Sequence, residues 1–271
     1  MSIRPNDRAL LTGAASGLGL ALTRLLAARG CRVLATDLLA EAPDVLTDLP
    51  SVTYRRLDVR NDPDWAGARD WVQEEWLGLD LLINNAGVAA GGRIDVVPLE
   101  EWEWIVDINL LGVVRGCATF APLMKTQRSG HLVNIASAAG LVHPPQMGSY
   151  NAVKAAVVAL SETLRYELGP YDVTTSVVCP TFFRTNLSSS LTGSDPEAAE
   201  SARRLIDGAR RTADDVASTV LAGIDARRYL ILPDPGARAA YAGKRFARPL
   251  YDRTMRRVAA SMASQGQRER G

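Results

Sequence analysis

Tyr150 and Lys154 lie four residues apart in a stretch with helical periodicity. Residues with this spacing share one face of a helix, so the phenol and the ammonium are expected to point into one space. A nearby ammonium stabilises a phenolate and lowers its pKa from the usual value of about 10. Such a phenol can take a proton from an alcohol or give one to a carbonyl oxygen. Ser137, one loop upstream, offers a hydroxyl for the same chemistry. The spacing also occurs by chance on many helices, so its interpretation depends on the rest of the chain.

A glycine-rich turn at residues 12–19, with the pattern T-G-x-x-x-G-x-G, follows an apolar run at residues 9–11 and precedes a helical pattern that ends at Gly30. Glycines let the backbone approach a bound group closely, and the N-terminus of the new helix directs its free N–H groups at that group. Turns in general favour glycine. The order strand, glycine turn, helix nevertheless makes a pyrophosphate site the better interpretation.

Asp37 ends the second predicted strand, residues 32–37, about twenty residues beyond the glycine turn. A carboxylate at this place accepts hydrogen bonds from the adenosine ribose hydroxyls and repels a 2′-phosphate. Leu38 follows it, and the turn carries no Arg or Lys that would bind such a phosphate. The sequence therefore predicts NAD as the cofactor in preference to NADP. The competing interpretation is an ordinary Asp in the loop after a strand.

Strands and helices alternate along the chain with short connections, which predicts a parallel sheet covered by helices on both faces. The fold class is α/β, a Rossmann-type doubly wound sheet of about seven strands. The strands are expected at residues 9–11, 32–37, 52–59, 79–83, 131–135, 173–179 and 229–232. Ligands bind beyond the carboxyl ends of such strands, and the glycine turn, Asp37, Asp58, residues 84–87 and Ser137 all follow predicted strands. They are therefore expected on one rim.

Helices are expected at residues 98–124 and 150–168, and a third begins at Asp62-Pro63 with tryptophans on its buried face. The chain lacks repeats and low-complexity linkers, so we expect a single domain over residues 1–271. Residues 181–211 show no clear period and are interpreted as a mobile substrate lid with an apolar lining from Phe182, Phe183, Leu187 and Leu191. Residues 237–271 form a basic C-terminal extension. It could touch a membrane surface, but we expect it to pack on the domain or to form an oligomer contact.

Composition limits the function classes. The formal net charge of +1 argues against a global nucleic-acid binder. Three scattered cysteines without a C-x-x-C pair fit reduced thiols in a cytoplasmic protein. Two histidines without ligand spacing predict no metal site. The first residues are not typical of a signal peptide. No apolar run approaches the roughly 20 residues of a transmembrane helix.

Taken together, these motifs resemble the short-chain dehydrogenase/reductase (SDR) family along nearly the whole chain, to Leu232. The resemblance rests on residues 12–19, residues 84–87 (Asn-Asn-Ala-Gly), Asn109, Ser137 and Tyr150-x-x-x-Lys154, in the family's order and spacing. By resemblance, Tyr150 is the general acid/base and Ser137 hydrogen-bonds the substrate oxygen. Lys154 holds the nicotinamide ribose and lowers the tyrosine pKa, and Asn109 supports a water-linked proton relay.

The resemblance also implies a set of cofactor contacts. It comprises Gly13, Ser16, Gly17, Leu18, Gly19, Asp37, Asp58, Val59, Asn85, Ala86, Gly87, Tyr150, Lys154, Pro180, Phe183 and Thr185. Two departures stand out. Thr181 replaces the glycine that usually follows Pro180, which implies a stiffer lid hinge. The basic extension replaces a Gly-rich final strand, which puts the usual tetramer contact in doubt.

The sequence thus predicts an NAD-dependent oxidoreductase that interconverts a hydrophobic, medium-sized secondary alcohol and its ketone by hydride transfer. The alternatives are an NADP-linked carbonyl reductase and a non-catalytic nucleotide-sensing protein of the same fold. The expected partners are a small-molecule substrate and further copies of the chain in a homodimer or homotetramer. No nucleic acid is expected.

Overall fold

The computed structural model describes residues 2–89, 91–184 and 193–268. Seven parallel strands form one sheet in the order β3-β2-β1-β4-β5-β6-β7. The strands are β1 (Arg8–Thr12), β2 (Arg32–Asp37), β3 (Val52–Arg56), β4 (Leu81–Asn84), β5 (Gly130–Ile135), β6 (Val173–Val178) and β7 (Leu230–Ile231). This is the Rossmann-type architecture predicted from the alternating pattern. The order reverses between β1 and β4, so a crevice opens beside the loops that follow these two strands.

Helices cover both faces of the sheet. They are α1 (Gly17–Ala28), α2 (Asp44–Thr47), α3 (Asp62–Trp76), α4 (Leu99–Val106), α5 (Gly112–Gln127), α6 (Ala139–Val142), α7 (Gly148–Leu168), α8 (Pro196–Asp207), α9 (Ala213–Asp225), α10 (Pro235–Phe246) and α11 (Arg248–Arg268). One hydrophobic layer joins α1 and α9 to the sheet, and a second joins α3, α5 and α7 to the other face. Both layers hold the strands rigidly, so the loops at the carboxyl ends have fixed starting points.

The predicted buried face of α3 is present. Trp65, Val72 and Trp76 are buried in the second layer, and Trp71 stacks edge-on against Trp76 with ring centroids 4.9 Å apart. The cysteines Cys31, Cys117 and Cys179 are free and buried, as expected for reduced thiols in a core.

The helix predicted from residue 98 to 124 contains an irregular turn. A π-helical segment, Asp107–Leu111, joins α4 to α5, so the helical stretch runs continuously from Leu99 to Gln127. Within the described residues this stretch is long and apolar enough to cross a membrane. It contacts β4, β5 and α3 and carries Arg115 in an ion pair, as a core helix of a globular domain does. The π-turn itself places Asn109, and such turns are frequent at functional sites.

One expectation about the lid is wrong. Residues 181–211 were expected to lack regular structure, but Pro196–Asp207 form the helix α8, with Asp195 as its N-cap and Pro196 in its first turn. Its charged and small apolar residues lie on opposite faces, so its amphipathic period is strong, but its only large apolar residues are Leu205 and Ile206. Asp followed by Pro is an N-terminal signal that could have revealed it. Leu187 and Leu191 lie outside the described residues.

Candidate active site

The glycine turn after β1 is held by side chains from the loop after β4. Asn85 donates from Nδ2 to the carbonyl oxygens of Thr12 (2.9 Å) and Gly13 (3.0 Å). In return, the Thr12 hydroxyl accepts from the backbone N–H groups of Asn85 and Ala86, both at 3.1 Å. Asn85 therefore acts on the turn through its side chain, and the two loops at the reversal point of the sheet form one rigid unit.

The turn requires glycine at two positions. Gly13 has φ +67°, and a Cβ atom there would lie 2.8 Å from the Cα of Ala86. A Cβ atom on Gly19 would lie 1.9 Å from the carbonyl oxygen of Gly13. Side chains at these positions would collide with the loop after β4 and with the turn itself, so the close packing of the turn requires glycine, as in a dinucleotide-binding turn.

The start of α1 is available to an anion. Ser16 is its N-cap, and among the described residues the Ser16 side chain makes no capping hydrogen bond to the helix. The first N–H groups of the helix are therefore directed at a ligand, together with the positive end of its dipole. Gly17 supplies a positive φ of 53° at this point. Leu18 is buried in the core, so its contribution to a cofactor would come from the backbone.

Asp37 lies at the carboxyl end of β2 beside the glycine turn. Its carboxylate accepts from the backbone N–H of Ala15 at 2.9 Å and from that of Leu38 at 2.7 Å. These bonds fix the orientation of the carboxylate and leave further lone pairs on both oxygens. Asp37 can therefore bind ribose hydroxyls without changing its position.

The predicted adenine contacts sit one strand further along. Asp58 forms an ion pair with Arg60, with Oδ2 and Nη2 2.7 Å apart, and the hydrogen bonds from Arg60 lower the pKa of the Asp58 carboxyl. Val59 is buried, and a Cβ atom on Gly112 would touch it at 2.9 Å. The Asp58 charge is thus partly neutralised, and an adenine would meet a carboxylate already bound to a guanidinium.

Lys154 and Tyr150 come from the first half of α7, as their spacing predicted. The Lys154 ammonium is buried and donates to the carbonyl oxygen of Ile135 at 3.0 Å. It lies 5.7 Å from the centroid of the Tyr150 ring. Burial lowers the pKa of Lys154 to about 8. The helix α7 is therefore fixed to the end of β5, two residues before Ser137.

Ser137 is positioned by the segment that follows β5. Its hydroxyl accepts from the N–H of Ala139 at 3.1 Å and lies 3.4 Å from the carbonyl oxygen of Pro180. Its side chain also lies beside the Tyr150 phenol and acts to lower the pKa of that group. The structure thus brings together the phenol, the hydroxyl and the ammonium that the sequence singled out.

The expected lowering of the Tyr150 pKa is not observed in the protein alone. Burial raises the pKa of this phenol above its usual value, and the Ser137 side chain beside it opposes that rise without cancelling it. The physical reason is that the free energy needed to remove the phenolate from water exceeds the stabilisation that the Ser137 side chain supplies. Without its cofactor, the protein therefore keeps Tyr150 protonated, in the form that donates a proton.

Asn109 bonds to the loop after β4. It is fully buried, and its amide accepts from the N–H of Val88 and donates to the Val88 carbonyl, both at 2.9 Å. A Cβ atom on Gly87 would lie 2.9 Å from Asn109 Oδ1 and 3.6 Å from Lys154 Nζ. The Asn109 side chain thus holds the Gly87 backbone beside Lys154. Because both ends of its amide are bonded to Val88, a proton relay through Asn109 would have to use its backbone in the π-turn.

A cavity of about 280 Å³ opens in front of Tyr150 and Ser137. Its walls come from the loop after β4, the segment around α6, the residues after β6 and one face of α8. The described lining residues carry no charge, and the polar side chains among them are Ser137, Tyr150, Gln146 and Thr181. The hydroxyls of Tyr150 and Ser137 therefore lie in a largely apolar wall.

The remaining predicted cofactor contacts follow β6. Pro180 is buried and its carbonyl oxygen accepts from the N–H of Ala138 at 2.8 Å, which ties this segment to that of Ser137. Phe183 packs against the first core layer and lines the cavity. Thr185 lies outside the described residues.

Several site residues were not anticipated as such. Thr12 holds the cofactor turn, and the helix α8 lines the cavity with Ala198, Ala199, Ala202 and Ile206. The spacing of these four residues places them on one helix face, and this spacing could have indicated from the sequence that they form one wall.

The basic extension packs on the domain. Lys244 of α10 donates to the carbonyl oxygen of Leu141 at 2.6 Å and to Nδ1 of His143 at 2.7 Å, and the Tyr251 hydroxyl of α11 donates to the carbonyl oxygen of Val142. Because Val142 lines the cavity, the extension supports one cavity wall from behind.

Comparisons with known proteins agree with this geometry. The family model described as short chain dehydrogenase matches residues 7–195. A dehydrogenase/reductase of CLA biosynthesis from Lactiplantibacillus plantarum is 32% identical over 83% of this chain and 87% of its own. A 3-alpha-(or 20-beta)-hydroxysteroid dehydrogenase from Mycobacterium bovis is 34% identical over 66% of this chain and 70% of its own.

Solved structures have the same architecture. A short-chain dehydrogenase/reductase from Burkholderia phymatum, in complex with NAD, superposes with a TM-score of 0.85 at 32% identity, over 92% of this chain and 96% of that one. The matched region contains the glycine turn and the Ser137, Tyr150 and Lys154 constellation. The chain therefore belongs to the short-chain dehydrogenase/reductase family of oxidoreductases.

Proposed function

We propose that this protein is an NAD-dependent oxidoreductase that interconverts a secondary alcohol and its ketone, with a hydrophobic, medium-sized substrate. The observation that carries the proposal is the placement of the Tyr150 and Ser137 hydroxyls in the wall of an uncharged cavity, with the Lys154 ammonium buried beside them. This arrangement supplies two donors to one carbonyl oxygen in a wall whose described residues carry no charge.

The cofactor would lie across the glycine turn. Its pyrophosphate would be held by the backbone at Gly13 and at the start of α1, and its adenosine ribose by Asp37. When bound, NAD accepts the hydride from the alcohol or, as NADH, gives one to the ketone. The negative charge of Asp37 disfavours a 2′-phosphate at the same place, which supports NAD over NADP.

The residues of the chain handle the proton and the developing charge. During reduction, Tyr150 donates its proton to the carbonyl oxygen while Ser137 donates a second hydrogen bond to it, as negative charge grows there. During oxidation, the phenolate form of Tyr150 takes the proton of the alcohol. Lys154 favours that form through its charge and would bind the nicotinamide ribose.

The cavity supports an uncharged substrate. A carboxylate or phosphate placed there would lose its hydration without gaining a counter-ion from the described lining. An alicyclic, terpenoid or steroid-like alcohol would instead bury apolar surface against alanine, methionine and phenylalanine side chains. We therefore place the substrate among alicyclic and related hydrophobic alcohols.

The test is a screen of NAD+ reduction over secondary alcohols graded by size and polarity, repeated with NADP+. We expect turnover that rises with apolar surface until the cavity is full, and that is lost in Tyr150→Phe. A preference for NADP+ would instead indicate a carbonyl reductase. Cofactor binding without turnover across the panel would indicate a nucleotide-sensing protein.

A further inference from the structure

Two parts of the cavity wall are joined by a part-buried ion pair whose members are 102 residues apart in the sequence. The Asp195 side chain is completely buried, and that of Arg93 is 27% exposed. Arg93 donates from Nε to Oδ2 at 2.8 Å, from Nη2 to Oδ1 at 3.0 Å and from its backbone N–H to Oδ2 at 3.0 Å. A planar guanidinium bound in this bidentate way fixes orientation as well as distance.

The ion pair sits where α8 begins. Asp195 is the N-cap of α8 and accepts from the N–H of Ala198 at 3.4 Å. Arg93 also reaches Glu197 in the first turn, with Nη1 and Oε2 3.1 Å apart. Arg93 itself belongs to the loop after β4, and its neighbour Gly91 lines the cavity. One side chain therefore sets the position of the helix end relative to the facing loop.

Two further contacts act at the same junction. Glu101 of α4 accepts from both the backbone N–H and the hydroxyl of Ser194, each at 3.0 Å. A Cβ atom on Gly92 would lie 2.8 Å from the Cβ of Asp195, so the loop and the helix end are in direct contact. Together these contacts hold the two walls at the observed separation.

The position of α8 determines the width of the cavity. The helix presents Ala198, Ala199, Ala202 and Ile206 to the space in front of Tyr150 and Ser137. If Asp195 lost the guanidinium, its buried charge would keep only the backbone N–H groups of residue 93 and Ala198 as partners, and the helix end would move toward water to solvate it. Such a displacement would widen the cavity and remove the wall that positions a substrate.

We propose that Arg93 and Asp195 are positioning residues that set the substrate-size specificity of the site by fixing α8 over the cavity. The expected changes in KM rest on the proposed function. The expected change in the position of α8 does not. Neither side chain is among the residues that contact the reacting atoms.

The chain provides a matched control. Arg8 and Asp80 form the same pattern at the opposite end of the sheet, with Nε to Oδ2 at 2.8 Å, Nη2 to Oδ1 at 2.7 Å and backbone N–H to Oδ2 at 2.9 Å. This pair lies at the amino end of β1, away from the cavity lining. Arg8→Met therefore removes an equivalent interaction without changing the cavity wall.

The experiment compares Arg93→Met, Asp195→Asn and Arg8→Met in the full chain. Hydrogen exchange of the α8 amides, which needs no turnover, is expected to accelerate by about 10-fold or more in Arg93→Met and to stay unchanged in Arg8→Met. With the best alcohol from the screen, KM is expected to rise by about 10- to 100-fold in Arg93→Met, while kcat and the dissociation constant of NADH change little. Discrimination between a bulky and a small alcohol should weaken in parallel.

Asp195→Asn keeps the shape of the cap and removes the buried charge, so it tests the proposal if Arg93→Met does not fold. It is expected to raise KM in the same direction with a smaller effect. The proposal is overturned if α8 exchange is unchanged in both variants, or if KM and melting temperature shift equally in Arg93→Met and Arg8→Met. Absence of alcohol turnover in the wild-type protein would refute the proposed function alone, because the exchange measurement still decides whether the ion pair holds α8.

Discussion

Lys154 donates a hydrogen bond to the carbonyl oxygen of Ile135 at 3.0 Å, so the helix α7, which also carries Tyr150, is bonded to the last residue of β5. Ser137 follows two residues later and lines the same cavity as Tyr150. This one contact links the three chemical groups of the site, because it fixes α7 relative to the segment that carries the serine. The predictions below test what each neighbouring element adds to that arrangement.

Tyr150→Phe removes the proton donor and acceptor while keeping the ring. We expect kcat to fall by about 10²- to 10⁴-fold, because general acid–base help of this kind has that size. NADH binding, followed by fluorescence titration, should remain. Tyr166→Phe, an exposed tyrosine on the same helix, is the control and should leave turnover unchanged. Near-normal turnover in Tyr150→Phe would refute the proposed mechanism.

Asp37→Asn removes the charge that is expected to select NAD. The dissociation constant of NADH should rise and that of NADPH should fall, and their ratio should shift by about 10- to 100-fold, the size of a charged hydrogen bond. The ratio isolates cofactor selection from any loosening of the Ala15 contact, which affects both cofactors. Asp48→Asn, an exposed carboxylate nearby in sequence, should leave the ratio unchanged. An unchanged ratio in Asp37→Asn would contradict the predicted cofactor preference.

Ala202→Leu adds volume to the face of α8 that lines the cavity. We expect KM for the bulkiest accepted alcohol to rise by about 10-fold or more while KM for the smallest changes little, because overpacking costs about 1–3 kcal/mol. Arg203→Leu, on the exposed side of the same helix, is the control. Equal changes in KM for large and small alcohols would indicate that the substrate does not contact this face of α8.

Lys244→Met removes the bonds from α10 to Leu141 and His143. We expect KM for the alcohol to rise by about 2- to 10-fold, the size of a lost hydrogen bond, with NADH binding unchanged. The adjacent Arg245→Met changes an exposed side chain of the same type and should have no effect. If both variants behave alike, the extension does not support the cavity.

The buried side chain of His131 is expected to make the folding stability of the protein depend on pH. It is buried against Ser176 at 2.7 Å, and burial lowers its pKa to about 3 from the usual 6.5. Between these two values the unfolded chain holds a proton that the folded chain does not, so stability falls as pH falls below 6.5. The slope should be about 1.4 kcal/mol per pH unit.

The measurement is urea unfolding between pH 6.5 and 4.5, a range above the usual carboxylate pKa values. His131→Asn should flatten the dependence, although it lowers stability at pH 7. His143→Asn, at a mostly exposed position, should change the slope less. A slope that survives the removal of His131 would assign the pH dependence to other groups.

The sequence by itself determined the fold class, all seven strand positions to within a few residues, the glycine turn and the shared face of Tyr150 and Lys154. These features rest on local periodicity and on backbone requirements such as the positive φ of Gly13, which short stretches encode. The family resemblance came from the same local motifs, and the matching family model confirmed it.

The tertiary structure alone decided the pairing of Arg93 with Asp195, the packing of α10 behind Leu141 and the use of Asn85 to hold the glycine turn. Each joins groups that are distant in the sequence, where no local pattern names the partner. The tertiary structure also decided the protonation of Tyr150, since burial depends on everything packed around the phenol and outweighed the effect that its spacing from Lys154 suggested.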